Sequence, residues 1–268
     1  MDLQRRYNEK GKEVYYLEGA DELNLKNKYF DIPVVYNGAT KKWIKYFSGR
    51  GREHFQRYAE RAGRYAPVLS KILNDQGLPR DLIFLSMAES GFQNAARSWA
   101  KAVGPWQFMP YTGKKFGLEV DFYMDERRDP LKATVAASKY LTYLFDRFGS
   151  WELAMAGYNA GEGKISRAIR RYRTKNFWKI RRGRYLKSET KNYVPKIMAL
   201  AIISKNLSAF GFKDIEFQRP LDFQEIQVPA NTDLYKASIG IVQKVPRILG
   251  YLNNVGSRNK DNNRRTLL

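Results

Sequence analysis

The chain has 268 residues, 43% of them hydrophobic, which suits one globular core with short appendages. It has no cysteine and one histidine, His54, so disulfides, thiolate metal sites and multi-histidine metal sites are excluded, and we expect no cofactor or metal. Its 48 basic and 27 acidic residues give a net charge of +21, which predicts a negatively charged partner such as nucleic acid, acidic lipid or a carboxylate-bearing polymer.

The first half of the chain predicts an irregular start followed by helices, because its apolar residues adopt helical spacing after residue 40. In chain order we predict an extended arm with little helix over 1–40, two helices over 41–74 that break near 49–51 and at Gly63, a loop over 77–79, a helix from Asp81 to Gly91, and short helices and turns over 93–118.

The second half predicts further helices and then a change of composition after Phe212. We predict a helix over 130–148, one from Ser150 that ends at Gly161, one over 164–172, a basic irregular stretch over 173–188, a final helix over 190–210, short strands over 216–220 and 223–228, and a helix over 235–253. The fold class is therefore mainly α. We divide the chain into an extended N-terminal arm over 1–40, a helical domain over 41–212, a small mixed α/β segment over 213–255 and a disordered tail over 256–268.

Glu89 is the first candidate for chemistry, because it ends the apolar helical segment 85–92, LSMAESGF. Apolar burial and the negative end of the helix dipole both raise the pKa of a carboxyl group. A carboxyl that is protonated near neutral pH can act as a general acid. Taken alone, the segment fits an ordinary solvent-exposed glutamate better.

The sequence after Glu89 offers no nearby second carboxylate, since residues 90–118 contain no Asp or Glu. Glycosidases commonly place two carboxylates across the bond that they cleave. The reaction therefore either needs one carboxylate or recruits a distant partner from a set of four acids, which are Asp125, Asp129, Glu162 and Glu189.

Three further segments carry polar, aromatic or basic residues in patterns that suit ligand binding. Residues 104–110, GPWQFMP, combine glycine with aromatic faces and a glutamine, and residues 156–163, AGYNAGEG, bring a phenol and an amide to a helix end. Residues 164–188 hold eleven Lys or Arg and no acid. Such a run suits a nucleic-acid surface, a wall-binding flank or a plain solvated face.

In order along the chain, these segments resemble the soluble-lytic-transglycosylase catalytic domain, which has a lysozyme-like fold. The resemblance rests on 89–92 (ESGF), Ser98, 104–110, 156–163 and 189–195 (ETKNYVP). Residues 43–52 and 61–65 resemble the region that precedes this domain in the membrane-bound lytic murein transglycosylase D family. The similarity is good over 30–210 and loose over 215–255, where that family leads into LysM modules that we do not find.

The resemblance implies a lyase that cuts the β-1,4 bond between N-acetylmuramic acid and N-acetylglucosamine in peptidoglycan. Glu89 would protonate the leaving oxygen and then take the proton of the muramoyl 6-hydroxyl, so that a 1,6-anhydro ring closes without a second carboxylate. The residues implied to contact the glycan strand are Ser98, Gln107, Phe108, Met109, Tyr158, Asn159, Glu189 and Tyr193. Trp99 is bulkier than the resemblance leads us to expect and would narrow the site.

The resemblance also implies peptidoglycan glycan strands as the partner, with acidic envelope polymers on the basic surface, no nucleic acid and a monomeric protein. It implies a place in the periplasm or cell envelope, with outer-membrane association of the full-length form, although no secretory signal follows Met1. Two alternatives remain open. One is a hydrolytic, lysozyme-type muramidase on the same fold, and the other is a catalytically inactive basic protein that binds wall or nucleic acid.

Overall fold

The computed structural model describes residues 5–7, 13–222, 226–229 and 264–267. Within them the chain forms nine α-helices, which are α1 (Gly38–Ser48), α2 (Arg52–Asp75), α3 (Ile83–Ser90), α4 (Pro110–Lys115), α5 (Pro130–Phe148), α6 (Trp151–Ala160), α7 (Glu162–Tyr172), α8 (Phe177–Arg182) and α9 (Ser188–Lys205). The other elements are 3-10 turns at Arg80–Leu82, Glu126–Arg128 and Leu207–Phe210 and the strands β1 (Arg5–Tyr7), β2 (Glu13–Tyr16), β3 (Tyr29–Phe30), β4 (Ile226–Pro229) and β5 (Arg264–Leu267). The prediction of a mainly α fold is confirmed.

The N-terminal arm forms a small antiparallel sheet with the strand order β1-β2-β3. Tyr15 of β2 lies opposite Phe30 of β3, and both side chains are buried. Leu17, Ile32 and Val34 are buried as well, in the same hydrophobic core as the helices. Among the described residues of the arm, 5–7 and 13–40, only 38–40 are helical, which agrees with the prediction of little helix. The arm shares its core with the helical domain.

Two carboxylates fix the arm to the start of α3. The Asp31 carboxylate accepts hydrogen bonds from the backbone N–H groups of Arg80 at 2.7 Å and Asp81 at 2.8 Å. The Asp81 carboxylate accepts in return from the backbone N–H of Asp31 at 2.9 Å and from Nζ of Lys205 at 2.5 Å. Because the first N–H groups of a helix have no partner inside it, Asp31 acts as a cap supplied by a distant part of the chain.

The helix α2 is continuous, so the predicted break at Gly63 is wrong, whereas the break near 49–51 is confirmed. At Gly63 another segment approaches closely, since a Cβ there would lie 2.7 Å from the carbonyl oxygen of Gln218. The backbone N–H of Gln218 donates to the carbonyl of Glu60 at 2.9 Å. Residues 216–220 therefore bond to a helix and do not form the predicted strand.

The boundaries of α5 and α6 agree with the prediction because local caps define them. The Asp129 carboxylate accepts from the N–H groups of Leu131 and Lys132 at 2.8 and 2.9 Å, and Gly149 ends α5 at a φ of 68°. Ser150 caps α6 through the N–H of Leu153. Each side-chain cap lies within three residues of the backbone groups with which it forms hydrogen bonds, so these helix ends could be predicted from the sequence.

The stretch 173–188 is partly helical, so its prediction as irregular is wrong. Residues Phe177–Arg182 form α8, which is capped by the Asn176 side chain through the N–H of Lys179 at 2.9 Å. Phe177 and Ile180 of this short helix are buried. The prediction followed the many cations of the stretch and overlooked that Phe177 and Ile180 are apolar residues at helical spacing.

The helix α9 runs through the middle of the core, with most of its residues from 193 to 203 buried. It packs against α1, α3 and α6. It ends at Lys205, and the predicted extension to residue 210 is a separate 3-10 turn. This central helix carries part of the candidate site on its N-terminal half.

Beyond residue 222 the described strands β4 and β5 pair in antiparallel fashion, with Ile226 opposite Leu267. Residues 264–267 thus form a strand where we predicted a disordered tail; the rest of the tail and the predicted helix over 235–253 lie outside the described residues. The proposed domain boundaries stay a prediction. Among the described helices, none is both long and apolar enough to cross a membrane.

Candidate active site

Glu89 is the residue of α3 that is left partly exposed, while the other seven residues of this helix are buried. The helix ends immediately afterwards at Gly91, whose φ of 59° lies in the left-handed region. A Cβ on Gly91 would overlap the ring of Tyr58 from α2. Glycine therefore allows the chain to turn sharply directly after the one partly exposed residue of an otherwise buried helix.

The carboxyl of Glu89 accepts a hydrogen bond from the Tyr193 hydroxyl of α9 at 2.5 Å. The pKa of Glu89 is raised from 4.5 to about 7. Burial is the largest cause; the hydrogen bond from Tyr193 and the charge of Lys196 oppose the rise, and the charge of Glu189 adds to it. The apolar environment predicted from the sequence is thus the largest cause. With a pKa of about 7, the carboxyl can give up a proton and take one back near neutral pH.

Two phenols flank Glu89, of which Tyr193 is buried and Tyr158 is partly buried. The Tyr158 hydroxyl of α6 donates to the carbonyl of Trp106 at 2.8 Å, and the Tyr193 hydroxyl donates to Glu89. Burial, and then the charge of Glu89, raises the pKa of both phenols well above the ordinary value. Both stay protonated and act as fixed hydrogen-bond donors beside the carboxyl.

Hydrogen bonds join the end of α6 to the start of α9 near Glu89. The Asn159 amide donates to the Glu189 carboxylate at 3.1 Å and accepts from the Thr190 hydroxyl at 2.8 Å. The predicted residues Asn159 and Glu189 are therefore brought together. Sequence reasoning missed Thr190, which follows Glu189 directly, and Lys196, which lies two helical turns further along.

Hydrogen bonds hold the loop 104–109 against α3, the helix that carries Glu89. The hydroxyls of Ser86 and Ser90 both donate to the carbonyl of Pro105, at 2.9 and 3.0 Å. Gln107 adopts a φ of 49°, and its side-chain amide donates to the carbonyls of Gly104 at 2.8 Å and Ala96 at 3.2 Å. The side-chain nitrogen of Gln107 therefore holds the loop in place.

A buried arginine supports the outer side of the loop. The Arg127 guanidinium donates to the carbonyls of Phe108 and Lys101, both at 3.0 Å, and pairs with the Asp125 carboxylate at 2.8 Å. Gly104 rests against this turn with a φ of 87°, and a Cβ there would overlap the carbonyl oxygen of Arg127. No local pattern in the sequence indicates this role of Arg127, because its contacts lie 19 and 26 residues away.

The other predicted contact residues occupy different settings. The Ser98 hydroxyl accepts from the N–H of Ala102 at 3.0 Å, and Phe108 is buried with its ring 6.0 Å from that of Tyr158. Met109 is 43% exposed. Trp99 is 98% exposed and so projects into solvent rather than narrowing the site by packing in its wall. His54 is exposed beside Arg57 on α2, as a surface histidine would be.

Three of the four distant acids have other partners. Asp125 pairs with Arg127, Asp129 caps α5, and Glu162 lies 3.9 Å from Lys115. Glu189 is the member of the set whose charge acts on the pKa of Glu89. The site therefore has one carboxyl with a strongly raised pKa and one nearby carboxylate that is bonded to Asn159. No group of three or more potential metal ligands occurs among the described residues.

Part of the chain is similar to known proteins. Residues 68–181 match the family model of the transglycosylase SLT domain. The chain is 35% identical over 169 residues to membrane-bound lytic murein transglycosylase D of Escherichia coli (strain K12), a match that covers 61% of this chain and 36% of that protein. The chain thus spans little more than a third of the length of that relative.

Two solved structures are similar to the chain at lower identity. The 70 kDa soluble lytic transglycosylase of Escherichia coli has a TM-score of 0.49 and 19% identity, over 68% of this chain and 30% of that chain. An inactive mutant of the lytic transglycosylase Slt of Pseudomonas aeruginosa has a TM-score of 0.45 and 24% identity, over 57% of this chain and 25% of that chain.

Proposed function

We propose that this chain, whose residues 68–181 belong to the transglycosylase SLT domain family, is a peptidoglycan lytic transglycosylase. The observation that carries the proposal is the Glu89 carboxyl, with a pKa of about 7 and a hydrogen bond from Tyr193, at the C-terminal end of an apolar helix. The match to a lytic murein transglycosylase supports the same substrate, the murein glycan strand.

The reaction uses one carboxyl twice. Protonated Glu89 gives its proton to the oxygen that joins muramic acid to glucosamine, and the bond from that oxygen to the muramoyl C1 breaks. The resulting carboxylate takes the proton of the 6-hydroxyl, whose oxygen bonds to C1 and closes the 1,6-anhydro ring. No water is consumed, so a second activating carboxylate is unnecessary. The Tyr193 hydroxyl stabilises the carboxylate between the two transfers.

The glycan contacts are proposed from the positions around Glu89. Tyr158, Asn159 and Glu189 lie at the meeting of α6 and α9, where their bonds hold the wall of the site in place. Gln107 and Ser98 belong to the loop region anchored on α3, Met109 offers an exposed thioether, and Phe108 supports Tyr158 from beneath.

The mass of the released muropeptides tests the reaction type. We expect digestion of purified peptidoglycan sacculi to give products with 1,6-anhydromuramoyl ends, because the sugar's own hydroxyl completes the reaction. Mass spectrometry of the soluble fraction measures this. Products one water heavier would contradict the lyase reaction and support the hydrolytic muramidase. A matched digest by a hydrolytic lysozyme supplies the heavier reference products.

The basic surface, residues 164–188, is proposed to bind acidic envelope polymers. Within the part of the chain that the structure describes, none of its eleven cations lies within ion-pair distance of a carboxylate. Unpaired like charges on α7 and α8 favour an external polyanion. We also propose a location in the cell envelope, with outer-membrane association, because the Escherichia coli relative is named as membrane-bound.

Neutralising part of the basic surface is expected to weaken binding to sacculi severalfold at low salt and to flatten its salt dependence, because surface charges are screened by ions. The variant carries Arg170→Gln, Lys175→Gln and Arg184→Gln, all at exposed positions. Co-sedimentation over a salt series measures binding. The control carries Lys42→Gln, Lys45→Gln and Lys213→Gln, which remove equal charge elsewhere. An equal loss in the control would show that net charge, not this surface, matters.

A further inference from the structure

Two cations from different helices hold the C-terminal end of α3, the helix that carries Glu89. Nζ of Lys196 in α9 donates to the carbonyl oxygen of Ala88 at 2.7 Å. Nε of Arg61 in α2 donates to the carbonyl oxygen of Gly91 at 2.5 Å. The last carbonyls of a helix have no partner inside it and form the negative end of its dipole. Here the carbonyl oxygens of Ala88 and Gly91 each accept a hydrogen bond from a positively charged side chain.

The two cations differ in their relation to Glu89. Lys196 is partly buried, and its charge is one of the groups that set the pKa of Glu89. Arg61 is not among those groups, although it contacts the same helix end. Lys196 also lies three residues after Tyr193 and seven after Glu189, so the three side chains share one face of α9.

We propose that Lys196 is a positioning residue of the reaction, which fixes the turn that carries Glu89 and supplies the positive charge beside the carboxylate that remains after the proton is given away. This inference rests on the proposed function, since it assigns Lys196 to the second half of the same reaction. The hydrogen bond to Ala88 keeps the ammonium group one residue from Glu89. The low polarity of the surroundings strengthens the attraction between the two charges.

The charges around Glu89 make Lys196 the main compensating cation. From α9 Glu89 faces Glu189, Tyr193 and Lys196; from α6 it faces Tyr158; and from α2 the turn after it meets Tyr58 and Arg61. Residues 104–110, which adjoin α3, contain no ionisable side chain. Without Lys196, the carboxylate would be left with the like charge of Glu189 and with neutral phenols.

The pH profile of kcat/KM tests the inference. Removing the positive charge in Lys196→Met disfavours the carboxylate, so Glu89 keeps its proton to higher pH. We expect the alkaline limb, where the proton donor is lost, to move upward by about one pH unit. Lys196→Arg keeps the charge and should keep the limb near its original position. Arg61→Met, the matched control, should lower the rate without moving the limb.

An unmoved limb in Lys196→Met, or an equal movement in Arg61→Met, overturns the inference. Thermal unfolding of each variant checks the fold, and Lys196→Gln replaces Lys196→Met if the latter does not fold. Glu89→Gln is assayed alongside. If it keeps activity, the proposed function fails and this inference fails with it; if it is inactive and the limb of Lys196→Met is unmoved, the inference alone fails.

Discussion

Glu89→Gln is expected to lower the release of soluble muropeptides from sacculi by roughly 10³-fold or more, because the proposed mechanism assigns both proton transfers to this residue. Glutamine keeps the shape of the side chain and still accepts the hydrogen bond from Tyr193, but it carries no proton to donate. The assay measures soluble fragments per unit time. Co-sedimentation with sacculi should survive, since the substitution leaves the basic surface intact.

Glu189→Gln is the matched control for the single-carboxyl mechanism. It removes the nearby acid while its amide can still bond to Asn159, so we expect a loss far smaller than that of Glu89→Gln. Equal losses would indicate two catalytic carboxylates, as in hydrolytic glycosidases. Equal release at background level by the wild type and by Glu89→Gln would instead favour a binding protein without catalysis.

The inactive variant should also be at least as stable as the wild type. Glu89 has a pKa of about 7 in the folded protein and 4.5 without its surroundings. Between these values the unfolded chain releases the proton first, so wild-type stability falls as pH rises through this window and stays reduced above it. The Glu89→Gln variant lacks this loss, which amounts to at most about 3 kcal/mol. Thermal unfolding at pH 4 and pH 8 checks that the gain is seen at the higher pH.

Gly104→Ala is expected to reduce the free energy of unfolding by about 3 kcal/mol or more and to remove most activity. The new Cβ would overlap the carbonyl oxygen of Arg127, and φ at this residue is 87°. Relief requires the loop that holds Trp106 and Gln107 to move away from the backbone of Arg127. Urea unfolding measures the change.

Gly117→Ala is the matched control, because Gly117 has a similar φ of 97° but only Nζ of Lys139 near it, at 3.7 Å. It should cost only the strain of a left-handed alanine, about 1–2 kcal/mol. Equal destabilisation by the two substitutions would show that the contact with Arg127 does not hold the loop in place.

Local chemistry made part of the fold predictable. The caps Asp129, Gly149 and Ser150 lie next to the helix ends that they define, so α5 and the start of α6 were found. The raised pKa of Glu89 followed from the apolar residues of its own helix. The family resemblance rested on ordered motifs, and residues 68–181 match the family model of the transglycosylase SLT domain.

Contacts between distant parts of the chain could not be predicted in the same way. Gly63 was interpreted as a helix break, whereas it makes room for a segment around Gln218, far along the chain. Thr190 and Lys196 belong to the site because α9 crosses the ends of α6 and α3, and nothing in their own neighbourhood indicates this. The spacing of residues along one helix predicts which side chains share a face, but not what that face meets.

The hydrogen bonds of Asp31 and Asp81 affect how short a fragment of the chain can be and still fold. The helix α3 has eight residues, too few to persist alone in water. It is held at its start by the arm and at its end by α2 and α9. A fragment trimmed to the matched residues 68–181 would lack Asp31, Arg61, Tyr193 and Lys196. We therefore expect the smallest fragment that folds on its own to extend from the arm to the end of α9, because these segments hold the helix that carries Glu89.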